Sequence, residues 1–157
     1  MSKTKTCCFT GHKQLPETKI QHIIKNLNYQ IEILIYQGVT TFISGGALGF
    51  DMLAAAIVIA KKKLGYNIKL IFALPSKNQE KYWSAKQILF YKELLKEADE
   101  IIYVCEEYST NCMKNRNIYM VNQSTYCICC LWKPQSGTFQ TVNYAKKKGI
   151  EIINVAD

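Results

Sequence analysis

A chain of 157 residues, 48% hydrophobic and 20% charged, carries enough apolar material for one packed domain, and this balance excludes disorder and collagen-like repeats. The longest unbroken apolar run, Met52 to Ala60, is too short to cross a bilayer, and no apolar stretch with a cleavage site follows the basic Met1-Ser-Lys-Thr-Lys-Thr, so neither a membrane span nor a secretory signal is expected. The net charge of +8 points to anionic partners. Seven cysteines, odd in number and mostly in strand-like runs, are expected as buried reduced thiols of a cytoplasmic protein; their spacing suits neither a disulfide framework nor a metal site.

Strand-like and helix-like patterns alternate along the whole chain. Thr6 to Thr10 reads as a strand. Pro16 then opens a helix whose stripe is Ile20, Ile23, Ile24, Leu27, Ile31, Leu34 and Ile35, ended by Gly38. Thr40 to Ser44 is a second strand. Ala47 to Leu64 is a helix apolar nearly all round, which predicts a covering layer and suggests a homodimer. Ile68 to Leu74 is a continuous apolar run of the kind buried in a parallel sheet. Helices over Glu80–Ala98, Asn111–Asn122 and Gly137–Lys148 alternate with strands over Glu100–Val104, Thr125–Trp132 and Glu151–Val155. The pattern predicts a single Rossmann-like α/β domain over residues 1–157. Its mainly parallel sheet has about six strands in the order 3-2-1-4-5-6, helices on both faces, and a crevice where the order reverses.

That topology sorts the charges. Lys61-Lys62-Lys63 and Lys146-Lys147-Lys148 end helices at the foot of the sheet, where they complement helix dipoles in solvent. Lys13, Lys77, Lys81, Lys114, Arg116 and Lys133 follow strands and are expected near the crevice.

Three strand-to-helix turns are expected to open on that same edge. Ser44-Gly45-Gly46-Ala47-Leu48-Gly49-Phe50-Asp51 is a glycine-rich turn running into a helix, whose free N–H groups and positive end suit a phosphate. It is neither a Walker sequence nor a strict GxGxxG. Thr10-Gly11-His12-Lys13 and Ser136-Gly137-Thr138 are the other two, with Ser136 or Thr138 able to cap a helix. Asp51 either favours the helix dipole or meets a ribose hydroxyl. Gln79 and Trp83, with Tyr82, either stack on a base or pack a helix start. Arg116 is the single arginine among 20 lysines and arginines, which suggests a place where a planar fork, here aimed at a ligand, cannot be replaced by lysine.

These stretches together resemble the YpsA-like branch of the SLOG superfamily, which also contains the DprA (Smf) DNA-processing proteins and the LOG cytokinin-activating hydrolases. The resemblance rests on Cys8 to Lys13, Phe42 to Asp51, Gln79 to Trp83, Tyr108 with Cys112 to Val121, and Ser136 to Thr138 with Thr141, Tyr144 and Ala145. It implies a Rossmann-like fold with a pocket for nucleotide-derived ligands such as ADP-ribose; the residues expected to bind the ligand are Thr10, Gly11, His12, Lys13, Ser44, Gly45, Gly46, Ala47, Gly49, Asp51, Gln79, Trp83, Arg116, Asn117, Ser136, Gly137 and Thr138. The family usually has arginine where this chain has Lys13, and a paired glycine where it has Gln135-Ser136. The LOG hydrolases are similar at Met113-x-x-Arg116, but their catalytic glutamate falls at Thr141, which cannot supply a carboxylate.

The expected function is therefore non-catalytic binding or sensing of an ADP-ribose-, NAD- or AMP-like ligand, with no cofactor required. One alternative is an N-glycosidic hydrolase in which Asp51 or Glu106 replaces the missing glutamate. Another is a DprA-like binder of single-stranded DNA, against which the lysine triplets at the foot of the sheet argue.

Overall fold

A computed structural model describes residues 5–156. Strands β1 (Lys5–Gly11), β2 (Val39–Ser44), β3 (Lys69–Leu74), β4 (Glu100–Tyr103), β5 (Tyr126–Cys130) and β6 (Glu151–Asn154) form one sheet in which every pairing is parallel. Between them run helices α1 (Ile20–Tyr36), α2 (Phe50–Lys63), α3 (Ala85–Lys96), α4 (Cys112–Asn122) and α5 (Gly137–Lys147). Successive strand residues point to opposite faces. Cys7, Phe9, Phe42, Leu70 and Phe72 accordingly pack with Ile23, Val58 and Leu94 of α1, α2 and α3. Cys8, Ile43, Ala73, Cys127 and Cys129 pack with Met120 and Val142 of α4 and α5. No helix among the described residues is long and apolar enough to cross a membrane.

The fold class matches the alternation of patterns, but the strand order corrects the expected 3-2-1-4-5-6. The sheet runs β4-β3-β2-β1-β5-β6. β4 adds to the outer side of β3, with Ile71 opposite Glu100 and Leu74 opposite Tyr103. β5 takes the place beside β1, with Cys8 opposite Cys127 and Gly11 opposite Cys130. Burial explains the choice. A strand beside β1 is covered on both faces, and four of the five β5 residues are buried, whereas three of the four β4 residues are exposed. A short strand starting at Glu100 suits an edge. The reversal of order, and the crevice, thus fall between β1 and β5.

Three helix starts also move. Pro16 forms a turn, its carbonyl accepting from the Lys19 N–H at 3.0 Å, and α1 begins only at Ile20. Gly49, at φ +82°, keeps residues 47–49 out of α2. Ser84 and Gln87 make a reciprocal capping box, so α3 starts at Ala85 and Glu80 to Trp83 remain a turn. Nor is the first lysine triplet merely solvated. Lys61 is buried and pairs with Glu32 of α1, Lys62 lies 2.5 Å from Asp99, and Lys63 lies 3.9 Å from Glu97. The second triplet is exposed.

Candidate functional site

The three turns meet. Thr10 and Gly11 at the end of β1, His12 and Lys13 after it, Ala47 and Asp51 after β2, and Ser136, Gly137 and Thr138 at the start of α5 line one crevice of about 390 Å³, closed by Met113, Arg116 and Asn117 of α4. It opens at the carboxyl ends of the strands beside the reversal of strand order, the place where open α/β sheets bind ligands. Its size lies within the range of small-molecule sites.

The floor is the β2–α2 turn. Ser44 Oγ donates to the Asp51 carbonyl at 2.9 Å and accepts from the Gly46 N–H at 3.2 Å. A Cβ on Gly45 would stand 2.4 Å from an Arg116 guanidinium nitrogen and 2.8 Å from Asp51 Oδ2. On Gly49 it would stand 2.3 Å from the Lys13 carbonyl, at a positive φ besides. Ser44, Gly45, Gly46 and Gly49 therefore support the crevice from behind, and the glycines are required by the protein's own packing. Gly137 differs: a Cβ there would meet nothing within 4 Å.

Arg116 is buried, and its fork faces inward. One terminal nitrogen donates to the Gly45 carbonyl at 2.5 Å and lies 3.5 Å from that of Ala73; Nε donates to Asn117 Oδ1 at 2.8 Å. The other terminal nitrogen lies 3.8 Å from Met113 Sδ. The guanidinium thus clasps the β2–α2 turn, the tip of β3 and its own helix, which corrects the expectation of a fork aimed at a ligand.

Asp51 is the unusual group. It is 5% exposed and lines the crevice. Oδ2 accepts from the Ala47 N–H at 3.4 Å, while Oδ1 has no hydrogen-bond partner among the described residues. Burial pushes its carboxyl from the ordinary 3.8 up to about 6, against the pull of Arg116, the Ala47 N–H and Lys13.

His12 ties two loops together. Its Nε2 accepts from the Trp132 and Lys133 N–H groups, both at 3.3 Å, and its ring packs edge-on to Trp132 at 4.2 Å between centroids. A ring accepting at Nε2 is neutral, and burial together with Lys133 holds its pKa below the ordinary value. Ser136 caps α5, its Oγ accepting from the Phe139 N–H at 3.1 Å. Gln135 beside it sits at φ +59°, where the family's usual glycine would rest without strain.

Gln79 turns inward. Its Nε2 reaches Tyr91 Oη at 3.0 Å and the Gly45 and Gly46 carbonyls at 3.4 Å. Trp83 packs edge-on against Tyr91. Both line a side chamber of about 160 Å³ together with Lys13, Ala47, Leu48, Tyr108 and Met113. Of the six basic residues expected at the crevice, Lys13 and Arg116 line it and Lys114 lines a second side chamber. Lys77 and Lys81 instead sit over the rings of Tyr103 and Tyr82, and Lys133 lines none of the three chambers, its backbone N–H donating to His12. Glu106 lines none of these three chambers, and Thr141 lies in the second side chamber, its Oγ1 donating to the Gly137 carbonyl at 3.0 Å. Sequence reasoning missed Met113 as a contact. Its spacing of three and four residues from Arg116 and Asn117 puts all three on one face of α4 and could have found it.

The profile of the YspA SLOG family matches residues 7–154. Among curated proteins, the uncharacterized SPbeta prophage-derived protein YoqJ of Bacillus subtilis is 40% identical over 128 residues, 74% of this chain and 75% of its own. Among solved structures, the DNA processing protein A of Helicobacter pylori, described for its single-stranded DNA binding mode, superposes with a TM-score of 0.67 at 19% identity. That match covers 94% of this chain and 63% of that one, so the chain spans less than two thirds of this relative. A molybdenum cofactor binding protein from Rippkaea orientalis gives 0.62 at 21% identity, covering 97% of this chain and 76% of that one. At such identities these two structures share the fold.

Proposed function

The chain belongs to the YspA SLOG family, and we propose that its crevice binds a nucleotide-derived ligand of the AMP, ADP-ribose or NAD kind without turning it over. The observation that carries this reading is Asp51 Oδ1, a buried acceptor without a partner among the described residues, in a side chain that lines the crevice. Leaving such an oxygen unmatched costs about 1–3 kcal/mol or more. A ribose hydroxyl is the kind of donor that satisfies it. Beside it, Lys13 and the first N–H groups of α5, which have no partners within the helix, suit a phosphate. Hydroxyl acceptor and phosphate donors side by side suit a sugar phosphate.

Basic residues along the crevice are too few for a strand of DNA, since among the described residues only Lys13 and the inward-facing Arg116 line it. The hydrolase reading keeps one supporting feature, the Asp51 carboxyl poised near neutrality. Calorimetric titration with AMP, ADP-ribose and NAD tests the proposal. At least one is expected to bind. Gly137→Val, whose Cβ would meet no protein atom within 4 Å and whose methyl groups take up crevice space, is expected to weaken binding roughly tenfold or more with little change in melting point. Lys63→Ala at the foot of α2 is the control. No binding, or equal affinity for Gly137→Val, overturns the proposal; release of free base that vanishes in Asp51→Asn transfers it to the hydrolase reading.

A further inference from the structure

We propose that the ligand is two-headed: a dinucleotide-type molecule whose pyrophosphate bridge occupies the crevice and whose ends occupy separate arms on either side of Met113. This rests on the nucleotide reading and names its ligand class. The central crevice of about 390 Å³ adjoins one side chamber through Lys13 and Ala47 and another through Asn117 and Gly137. Met113 lines all three. Its sulfur lies 3.8 Å from an Arg116 guanidinium nitrogen, so the partition between the arms is held by the same residue that clasps the floor.

The two arms differ in chemistry. The first, about 160 Å³, is walled by Leu48, Trp83 and Tyr108, an apolar and aromatic lining suited to stacking a base. The second, about 250 Å³ between α4 and α5, is walled by Ile118 and Tyr144 with the Gln140 side chain at hand for hydrogen bonds. Both exceed by more than about tenfold the space a single water needs. A mononucleotide has one flat end and one phosphate, so it fills the centre and the aromatic arm and leaves the other arm to solvent. A molecule with a base or ribose at each end of a pyrophosphate fills all three. Lys13 and the α5 N–H groups face its bridge, and Lys114 lines the second arm.

Titration of the full chain with NAD and, separately, AMP tests this. NAD is expected to bind the wild type at least tenfold more tightly than AMP. Gln140 is exposed, so Gln140→Trp can close the second arm without a folding cost. It is expected to bring NAD down to the affinity of AMP while leaving AMP within about twofold. Tyr108→Ala, also at an exposed position, is expected to weaken both by the same factor. Equal wild-type affinities for NAD and AMP, or a Gln140→Trp variant that leaves NAD unchanged or weakens both alike, overturns the two-headed ligand while the nucleotide reading stands. Binding of neither overturns the two-headed ligand, and if ADP-ribose fails to bind as well the nucleotide reading falls with it. If Gln140→Trp does not fold, the wild-type comparison decides.

Discussion

Replacing Asp51 by asparagine keeps the shape of the side chain and removes its charge, which isolates the cost of holding a carboxylate in this crevice. The carboxyl rises from 3.8 to about 6, and the rise is already the balance of burial against Arg116, the Ala47 N–H and Lys13. At about 1.36 kcal/mol per pH unit, ionised Asp51 costs the folded state about 3 kcal/mol. The sign follows from proton binding. Between pH 3.8 and about 6 the folded chain holds this proton more tightly than the unfolded chain, so stability falls as pH rises through that window. Below it the cost is absent; above it the cost is complete. Asp51→Asn is therefore expected to stabilise the protein by about 3 kcal/mol at pH 7.5, a rise in melting temperature of about 6–12 °C, and by little at pH 4. Thermal unfolding followed by circular dichroism at both pH values reads this directly. A variant less stable at pH 7.5, or stabilised equally at both, refutes the reasoning. If the carboxylate serves a ligand hydroxyl, the more stable variant also binds nucleotide more weakly, so stability and affinity move in opposite directions.

Arg116→Lys is expected to cost about 2–4 kcal/mol in urea denaturation, because a lysine cannot serve Gly45, Ala73 and Asn117 at once; unchanged stability would show that the fork is not structural. His12→Ala removes the acceptor of two backbone N–H groups and is expected to cost about 1–3 kcal/mol at pH 8. With its folded pKa held below the ordinary 6.5, the contribution of His12 is full above that value and fades as pH falls through it, so the loss at pH 5 should be smaller; a pH-independent loss contradicts this. Gln135→Gly relieves a left-handed backbone at a non-glycine residue, and an increase of about 1 kcal/mol in unfolding free energy is expected; no increase would mean that the turn carries no strain.

The alternation of strand and helix was legible because burial on two faces leaves a mark on every element. The strand order was misread, although the signal was present. Cys127 to Cys130 form a small, apolar run fit for the middle of a sheet, and Glu100 following Asp99 marks an edge. The start of α3 was also legible in the spacing of Ser84 and Gln87. The convergence of the three turns followed from topology alone. What the residues do there did not. The rarity of arginine singled out Arg116 but could not say which way its fork points, since that depends on the Gly45 and Ala73 carbonyls, brought from β2 and β3 by tertiary packing. Asp51 reads equally well as a helix-dipole partner, because its burial and its unmatched oxygen exist only once α2 is packed against the sheet. Lys61 looked solvated because Glu32, its partner, lies on another helix.

The most direct measurement is a two-dimensional amide NMR titration of the wild-type chain with NAD. Shifts are expected at Gly11, Lys13, Ala47, Gly137 and Thr138, at the three turns that line the crevice, with the lysine-bearing ends of α2 and α5 unaffected. Shifts absent at saturating ligand, or confined to those lysine-bearing ends, would contradict it.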